Sequence, residues 1–294
     1  MTEPADLLQR CTFPPAHTSV TCAVSGGADS LALLVLATRA GCAVTAVHVD
    51  HGVREGSERE ADVVAAAADR FGARFRAERV SVAPGANLEA RLRAARYGVL
   101  PDDALTGHTA DDQAETVLLN LVRGAGSTGL AGMRSANHPL LALRRFETVA
   151  LCASLGLEPV VDPSNSSSAY RRNRVRHELL PLADSIAERD VATLIARTAS
   201  LLREDDDLLE TLSLDIDPTD ARAVSGAPRP LAMRAIRRWL VPHLCGYPPD
   251  LDAVERVLDV ACGRATACEV SGGVTIRRSA QQLAVLATPP RTAR

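Results

Sequence analysis

The sequence predicts an α/β fold, a parallel sheet with helices on both faces, followed by a smaller α+β domain. Three observations carry that expectation. Strand-like apolar runs alternate with helical ones from Ser19 to about Arg123, glycine-containing turns punctuate them, and after Ala136 the alternation weakens. Strands that alternate with helices pair in parallel, because each crossover helix returns the chain to the same end of the sheet.

The first unit of this pattern is the run SVTCAV from Ser19, the turn SGGADS and the helix-like LALLVLATRA. A second strand, CAVTAVHVD, ends at Asp50, and EREADVVAAAADRFG has helical spacing with Gly72 as its stop. ARFRAERV reads as a third strand, Asn87 to Leu100 as a helix, Ala104 to His108 as a short strand, and Asp111 to Arg123 as an amphipathic helix. Asp162 to Asn173 is irregular, and a helical stretch leads from Pro181 to the acidic cluster Glu204–Asp207, read as a solvated helix face. The remainder holds the amphipathic LAMRAIRRWL and two strand-like runs around Val274 and Leu283. Boundaries are expected to give a first domain of 1–185, a linker helix of 186–215 and a small domain of 216–294.

Composition narrows the function. With 294 residues, 46% of them hydrophobic, the chain is long enough for two cores. Its start, MTEPADLLQR, has no charged segment followed by an apolar run, and no stretch approaches the roughly 18 apolar residues of a membrane span, so a cytoplasmic protein is expected. Seven scattered cysteines include no C-x-x-C pair, which argues for buried thiols over zinc or an iron–sulfur cluster. The formal charge of -3 argues against indiscriminate nucleic-acid binding. All 33 basic residues are arginine, and the absence of lysine excludes a Walker A phosphate loop.

Ligands on such sheets bind beyond the carboxyl ends of the strands, where Ser25, Asp50 and His108 are expected to converge. SGGADS places Gly26 and Gly27 where backbone approaches a ligand and sets Asp29 and Ser30 at a helix start that favours phosphate. An ordinary capped glycine turn is the bland alternative. In HVDHGVR, Asp50 and His51 are candidates for the same crevice, whereas His48 reads as a satisfied sheet histidine. Asp111, Asp112 and Glu115 crowd one helix start after His108; N-terminal acidity and a Thr109–Asp112 capping box account for one or two of them. Carboxylates near triphosphate oxygens bind Mg²⁺, with Asp29 and Asp112 the expected ligands. Arg171, Arg172, Arg174 and Arg176 pack four guanidinium groups into six residues, suited to phosphates and bases, and Arg174 is the single choice for contact with ATP or RNA.

SGGADS, VDHGVR, ARLRAARY, GHTADDQAET, GAGSTGLAGM and VVDPSNSSSAYRRNRVRHELLP occur in the order that resembles tRNA(Ile)-lysidine synthetases of the PP-loop ATP-pyrophosphatase superfamily. That resemblance, spanning roughly Ser25 to Pro181, implies a Rossmann-like catalytic domain related to the adenine nucleotide alpha hydrolases and a tRNA-binding C-terminal domain. It further implies that a wobble cytidine in the CAU anticodon of tRNA(Ile) attacks the ATP α-phosphate, after which free L-lysine displaces AMP. Carried over by position, Ser25, Gly26, Gly27, Asp29, Ser30, Asp50 and Arg174 would bind ATP, and Asp29, Arg96, His108, Asp112 and Glu115 would serve catalysis. The link between Arg96 and His108 is shorter than in the family, and no second C-terminal domain follows, so recognition of the acceptor stem by one is not expected. A homodimer is compatible with the sequence. The competing readings are a tRNA thiolase, for which paired cysteines are missing, a small-molecule amide ligase, which leaves the arginine run without a role, and a non-catalytic RNA-binding module.

Overall fold

The structure, a computed structural model, describes residues 4–50, 58–80, 91, 95, 98–160, 171–244 and 248–287. Arg96, His51 and most of the expected helix from Asn87 lie outside them, as does 161–170. The chain divides into two compact units, 1–203 and 204–294.

The first unit begins with the short helix α1 (Pro4–Gln9), then β1 (Ser19–Ala23), α2 (Ala28–Arg39), β2 (Ala43–Asp50), α3 (Glu58–Phe71) and β3 (Arg74–Arg79). After β4 (Leu105–Thr106) come α4 (Ala110–Val122), α5 (Ser127–Leu130) and α6 (Arg145–Ser154). Four parallel strands stand in the order β3-β2-β1-β4. The sequence-adjacent strands run outward on one side of β1, and β4 then joins its other side, so the chain reverses direction between β1 and β4. Such a switch point opens a crevice at the carboxyl ends of the strands.

Alternation along the strands explains how the sheet is covered. Cys22, Val24, Val44 and Ala46 point to one face and meet Leu31, Leu34 and Leu36 of α2, with Leu151 of α6. Val47 and Val49 point to the other, with Ala23, Leu100 and Ala104. Residues 30–37 of α2 are all buried, as expected of a helix that is apolar on nearly every side. A third cluster joins Ala114 of α4 to Val175, Leu180 and Ala192. These follow in α7 (Arg171–Arg174), the π-helical turn Val175–Leu179, α8 (Leu180–Ala187) and α9 (Val191–Ser213), which crosses the division between the units.

The second unit holds α10 (Ala221–Gly226), α11 (Arg229–Leu240), α12 (Leu251–Ala261) and an antiparallel sheet β5-β6-β7 of Ala267–Val270, Val274–Ser279 and Gln282–Ala287. Asp220 and Asp250 cap α10 and α12 through their side chains. Ile236, Leu240, Val257 and Ile276 form the centre of its core. The expected α+β domain is present, with β5 as a strand beyond the two anticipated. In the acidic cluster Glu204 and Asp205 are exposed as expected, but Asp206 is 3% exposed and meets Arg234 at 2.7 Å, while Glu210, one turn on, takes Arg238 at 2.8 Å. Spacing explains it, since Asp206 and Glu210 are one helical turn apart and so are Arg234 and Arg238.

Candidate active site

The turn after β1 is built by Ser30, whose hydroxyl donates to the Gly27 carbonyl at 2.8 Å and accepts the Ser25 N–H at 3.1 Å. Gly26 takes φ +87°, a left-handed conformation open to glycine, and its carbonyl receives the Val160 N–H at 3.0 Å. Helix α2 then begins at Gly27 with no side-chain cap on its first N–H groups. An uncapped start of this kind presents backbone donors and the positive end of the helix dipole to an anion.

On the far side of the switch point, Gly107 follows β4 and lies against the backbone of Asp29. A Cβ at Gly107 would come within 2.5 Å of the Asp29 carbonyl oxygen, so no other residue lets the two turns meet. Gly107→Ala is therefore expected to push β4 from α2, cost about 1–3 kcal/mol in strain and weaken nucleotide binding; thermal unfolding with and without ATP checks it, and an unchanged ATP-induced shift would refute it.

Between the two turns is a cavity of about 470 Å³. Ser25, Gly27, Asp29, Ser30, His108 and Asp112 of the expected residues line it, together with Thr106, His48, Arg145 and Arg176. Gly26 is buried beneath the turn, and Asp50 is absent from the lining, with its carboxylate 3.9 Å from Arg79 at the ends of β2 and β3.

The carboxylates that the sequence singles out are brought together, and arginines bind them. Asp29 accepts from Arg145 Nε at 3.3 Å and from the Thr148 hydroxyl. Asp112 Oδ1 accepts from Arg145 Nη2 at 2.8 Å and Arg172 Nη2 at 3.2 Å, while Oδ2 takes the Thr109 N–H at 2.9 Å and hydroxyl at 3.0 Å. Glu115, with no exposed surface, accepts from Arg176 Nε and Arg172 Nε, both at 2.6 Å, and from Arg145 Nη1 at 3.3 Å. Asp112 is thus both the capping-box residue and an arginine anchor. Asp111 turns away: it grips Arg144 and the Arg145 N–H, which fixes the start of α6 and so places Arg145.

The charges respond accordingly. Burial drives the Asp29 carboxyl above the usual carboxylate range, and Thr148 and Arg145 offset only part of that. Burial also opposes ionisation of Asp112, but Arg145, His108 and Arg172 outweigh it and hold its carboxyl low. Burial disfavours the charge on Arg145 as well, and Asp112, Glu115 and Asp29 more than restore it.

Arg174 stands apart. It is 62% exposed and pairs with Glu178 one turn on, whereas Arg172 and Arg176, a turn apart on the opposite side of the helix, face the acids. Helical phase thus puts Arg174, chosen for contact with ATP or RNA, off the lining of this cavity. Nothing in LALRR marks Arg145, and the i, i+4 spacing of Arg172 and Arg176 puts the two on one helix face without telling which face meets the acids. His48 reads from the sequence as a satisfied sheet histidine, but while its Nδ1 donates to the Val24 carbonyl at 3.0 Å, its buried Nε2 meets no partner among the described residues.

Comparison with known proteins agrees with this geometry. A PP-loop domain family model matches residues 3–183. A tRNA(Ile)-lysidine synthase of Nocardia farcinica is 40% identical over 92% of this chain and 95% of its own. The chain belongs to the tRNA(Ile)-lysidine synthase family of PP-loop proteins. The family member of Thermobifida fusca is 43% identical over 76% of this chain and 77% of its own. Among solved structures, the U34-tRNA thiolase of Methanococcus maripaludis shares the fold, with a TM-score of 0.55 at 18% identity over 68% of this chain and 78% of that one. No helix among the described residues is long and apolar enough to cross a membrane.

Proposed function

We propose that the chain activates the wobble cytidine of the CAU anticodon of tRNA(Ile) with ATP and joins free L-lysine to it, releasing pyrophosphate and AMP. The observation that carries this reading is the cavity at the switch point, lined by an uncapped helix start with Asp29, Asp112, Arg145 and Arg176, while buried Glu115 ties Arg145, Arg172 and Arg176 together. In-line displacement at phosphorus asks for positioning and charge neutralisation rather than a covalent intermediate, and this set of groups offers both.

Within the site, the first N–H groups of α2 and the Ser25–Ser30 turn would receive the phosphates. Three acids and three arginines sum to no net charge, so the arriving triphosphate needs further positive charge. Mg²⁺ fits Asp29, whose two oxygens each accept one hydrogen bond and retain a lone pair. It does not fit Asp112 as this site stands, since each of its oxygens already accepts two. Mg²⁺ is commonly held by one or two carboxylates together with substrate phosphate oxygens, a mode that Asp29 suits. Mg²⁺ supplies charge neutralisation to the phosphates when bound. Arg145, Arg172 and Arg176 stand ready to shift from the carboxylates toward phosphate. Asp112 and Glu115 would orient them, Asp50 would act at the rim, and Arg174, exposed beside them, is assigned to tRNA phosphate rather than to ATP. Arg96 keeps the role that the family resemblance implies. Every group invoked comes from one chain, and the reaction belongs in the cytoplasm with its tRNA.

Sulfur transfer finds no support in Cys11, Cys22 or Cys152. Burial pushes Cys11 and Cys22 up to about 12 and Cys152 to about 11, which leaves them protonated and poorly nucleophilic. The deciding assay incubates the protein with ATP, Mg²⁺, labelled lysine and an unmodified tRNA(Ile) transcript carrying CAU. Label is expected in the tRNA only with all components present, and its absence, or ATP–pyrophosphate exchange driven by a small acid without RNA, would overturn the reading.

A further inference from the structure

The ring of His48 is fixed by what it touches. Its Nδ1 lies 3.0 Å from the Val24 carbonyl oxygen, which has no hydrogen to give, so the contact is a hydrogen bond only when Nδ1 carries the proton. In the neutral ring Nε2 is then a bare acceptor. His48 is 2% exposed, and its buried Nε2 meets no partner among the described residues. A buried acceptor without a donor costs stability, so an orphan of this kind calls for a partner that the empty fold does not supply.

Its place narrows the partner. His48 lines the cavity at the switch point on the β2 side of β1, with Ala23 and Val24 at the end of β1 and Val47 and Val49 of β2. The ionic cluster stands on the other side of β1: Asp112 belongs to α4, which follows β4, and Asp29 lies against Gly107 at the end of β4. Phosphates are met there and at the Ser25–Ser30 turn, where donors and cations are gathered. The side chains around His48 are apolar apart from the ring itself and Glu60 of α3. Apolar walls with a few placed polar groups hold and orient the less charged part of a ligand. In ATP the phosphate oxygens only accept, so the donors on offer are the N6 amine of adenine and the two ribose hydroxyls.

We infer that His48 is a specificity-determining residue of the nucleotide site, its Nε2 accepting a hydrogen bond from an N–H or O–H donor on the nucleoside half of ATP. This rests on the ATP-using reading above. A ligand group that only accepts would set one lone pair against another, and a ligand without the hydrogen would leave Nε2 as bare as it is in the empty fold. Either is rejected at binding.

The test measures equilibrium binding to the full chain by calorimetry, with Mg²⁺ present and tRNA absent. The ligands are ATP and three analogues that each lack one donor: purine riboside triphosphate, which has no N6 amine, 2′-deoxy-ATP and 3′-deoxy-ATP. The proteins are wild type, His48→Asn, whose amide reaches the Val24 carbonyl but not the place of Nε2, and His48→Phe, which fills the space with no acceptor. One analogue is expected to bind the wild type about 10- to 100-fold more weakly than ATP, the range for a buried acceptor left unpaired. In both variants ATP should weaken by a similar factor and its advantage over that analogue should vanish, with the other two ratios as in the wild type. The analogue that couples to His48 identifies the donor as amine or hydroxyl. Three analogues that bind the wild type as ATP does, or a preference that survives both substitutions, would overturn the proposal. So would equal loss across ATP and all three analogues, the result for a ring that meets a phosphate or an ordered water. His48→Asn carries the test if His48→Phe fails to fold. Failure of the wild-type chain to bind ATP at all would instead strike the nucleotide reading itself.

Discussion

Glu115→Ala lowers the thermal midpoint of the first unit and abolishes adenylation together. Glu115 has no exposed surface and accepts hydrogen bonds from three arginines, each of which keeps only 23–30% of its side chain exposed. Removing the shared acceptor leaves guanidinium groups partly desolvated and repelling one another, and breaking a buried pair in this way costs about 3–5 kcal/mol. Because the arginines reach some solvent, the lower end, ~3 kcal/mol, is expected, equivalent to roughly 6–12 °C for a unit of this size. Glu115→Gln keeps the shape and loses the charge, so its midpoint should fall between the two. Calorimetry of the three proteins checks this, and a Glu115→Ala midpoint within a degree of wild type would show that the arginines find other partners. Arg176→Ala in the same background should cost less than it does alone, since residues in one network are not additive.

How much of this site could be read in advance follows from the distance over which each contact is made. The Ser25–Ser30 turn is local: two glycines, a serine that crosslinks its own loop and a helix start are all encoded within six residues. The acids on α4 were visible for the same reason, and so was the convergence of β1 and β4, which topology imposes once strands and helices alternate. Arg145 is a different case. It reaches Asp29 across 116 residues of chain, from a stretch whose only distinction is a pair of adjacent arginines. The contact exists because Asp111 pins Arg144 and the Arg145 N–H at the start of α6, a long-range capping arrangement with no periodicity to betray it. The arginine run shows the intermediate situation. Helical phase distinguishes Arg172 and Arg176 from Arg174, but the phase can be used only when the position of Glu115 is known.

Asp29→Asn should behave in the opposite way from Glu115→Ala, losing the reaction while keeping or gaining stability. Burial is the largest influence on Asp29 and raises its carboxyl above the ordinary value of 3.8. A carboxyl whose folded pKa is raised contributes stability that is full below the unfolded pKa and is lost as pH rises through the folded one. At neutral pH, ionised Asp29 is therefore a cost to the fold, which an amide of the same shape relieves in part. What the amide cannot do is neutralise Mg²⁺ or offer a negative charge to Arg145: its one oxygen can accept from Arg145, but its Nδ2 can only donate. Pyrophosphate release is expected to fall by about 10³-fold, comparable to removing a group aimed at transition-state charge. The thermal midpoint at neutral pH should equal or exceed that of wild type, and its advantage should shrink on acidification as wild-type Asp29 takes up its proton. A variant that released pyrophosphate at the wild-type rate would show that Asp29 has no part in holding the nucleotide. The conjunction of a destabilising charge with an indispensable one is what a site that must meet a triphosphate requires: its charges are placed for a ligand, and the empty fold carries them at a loss.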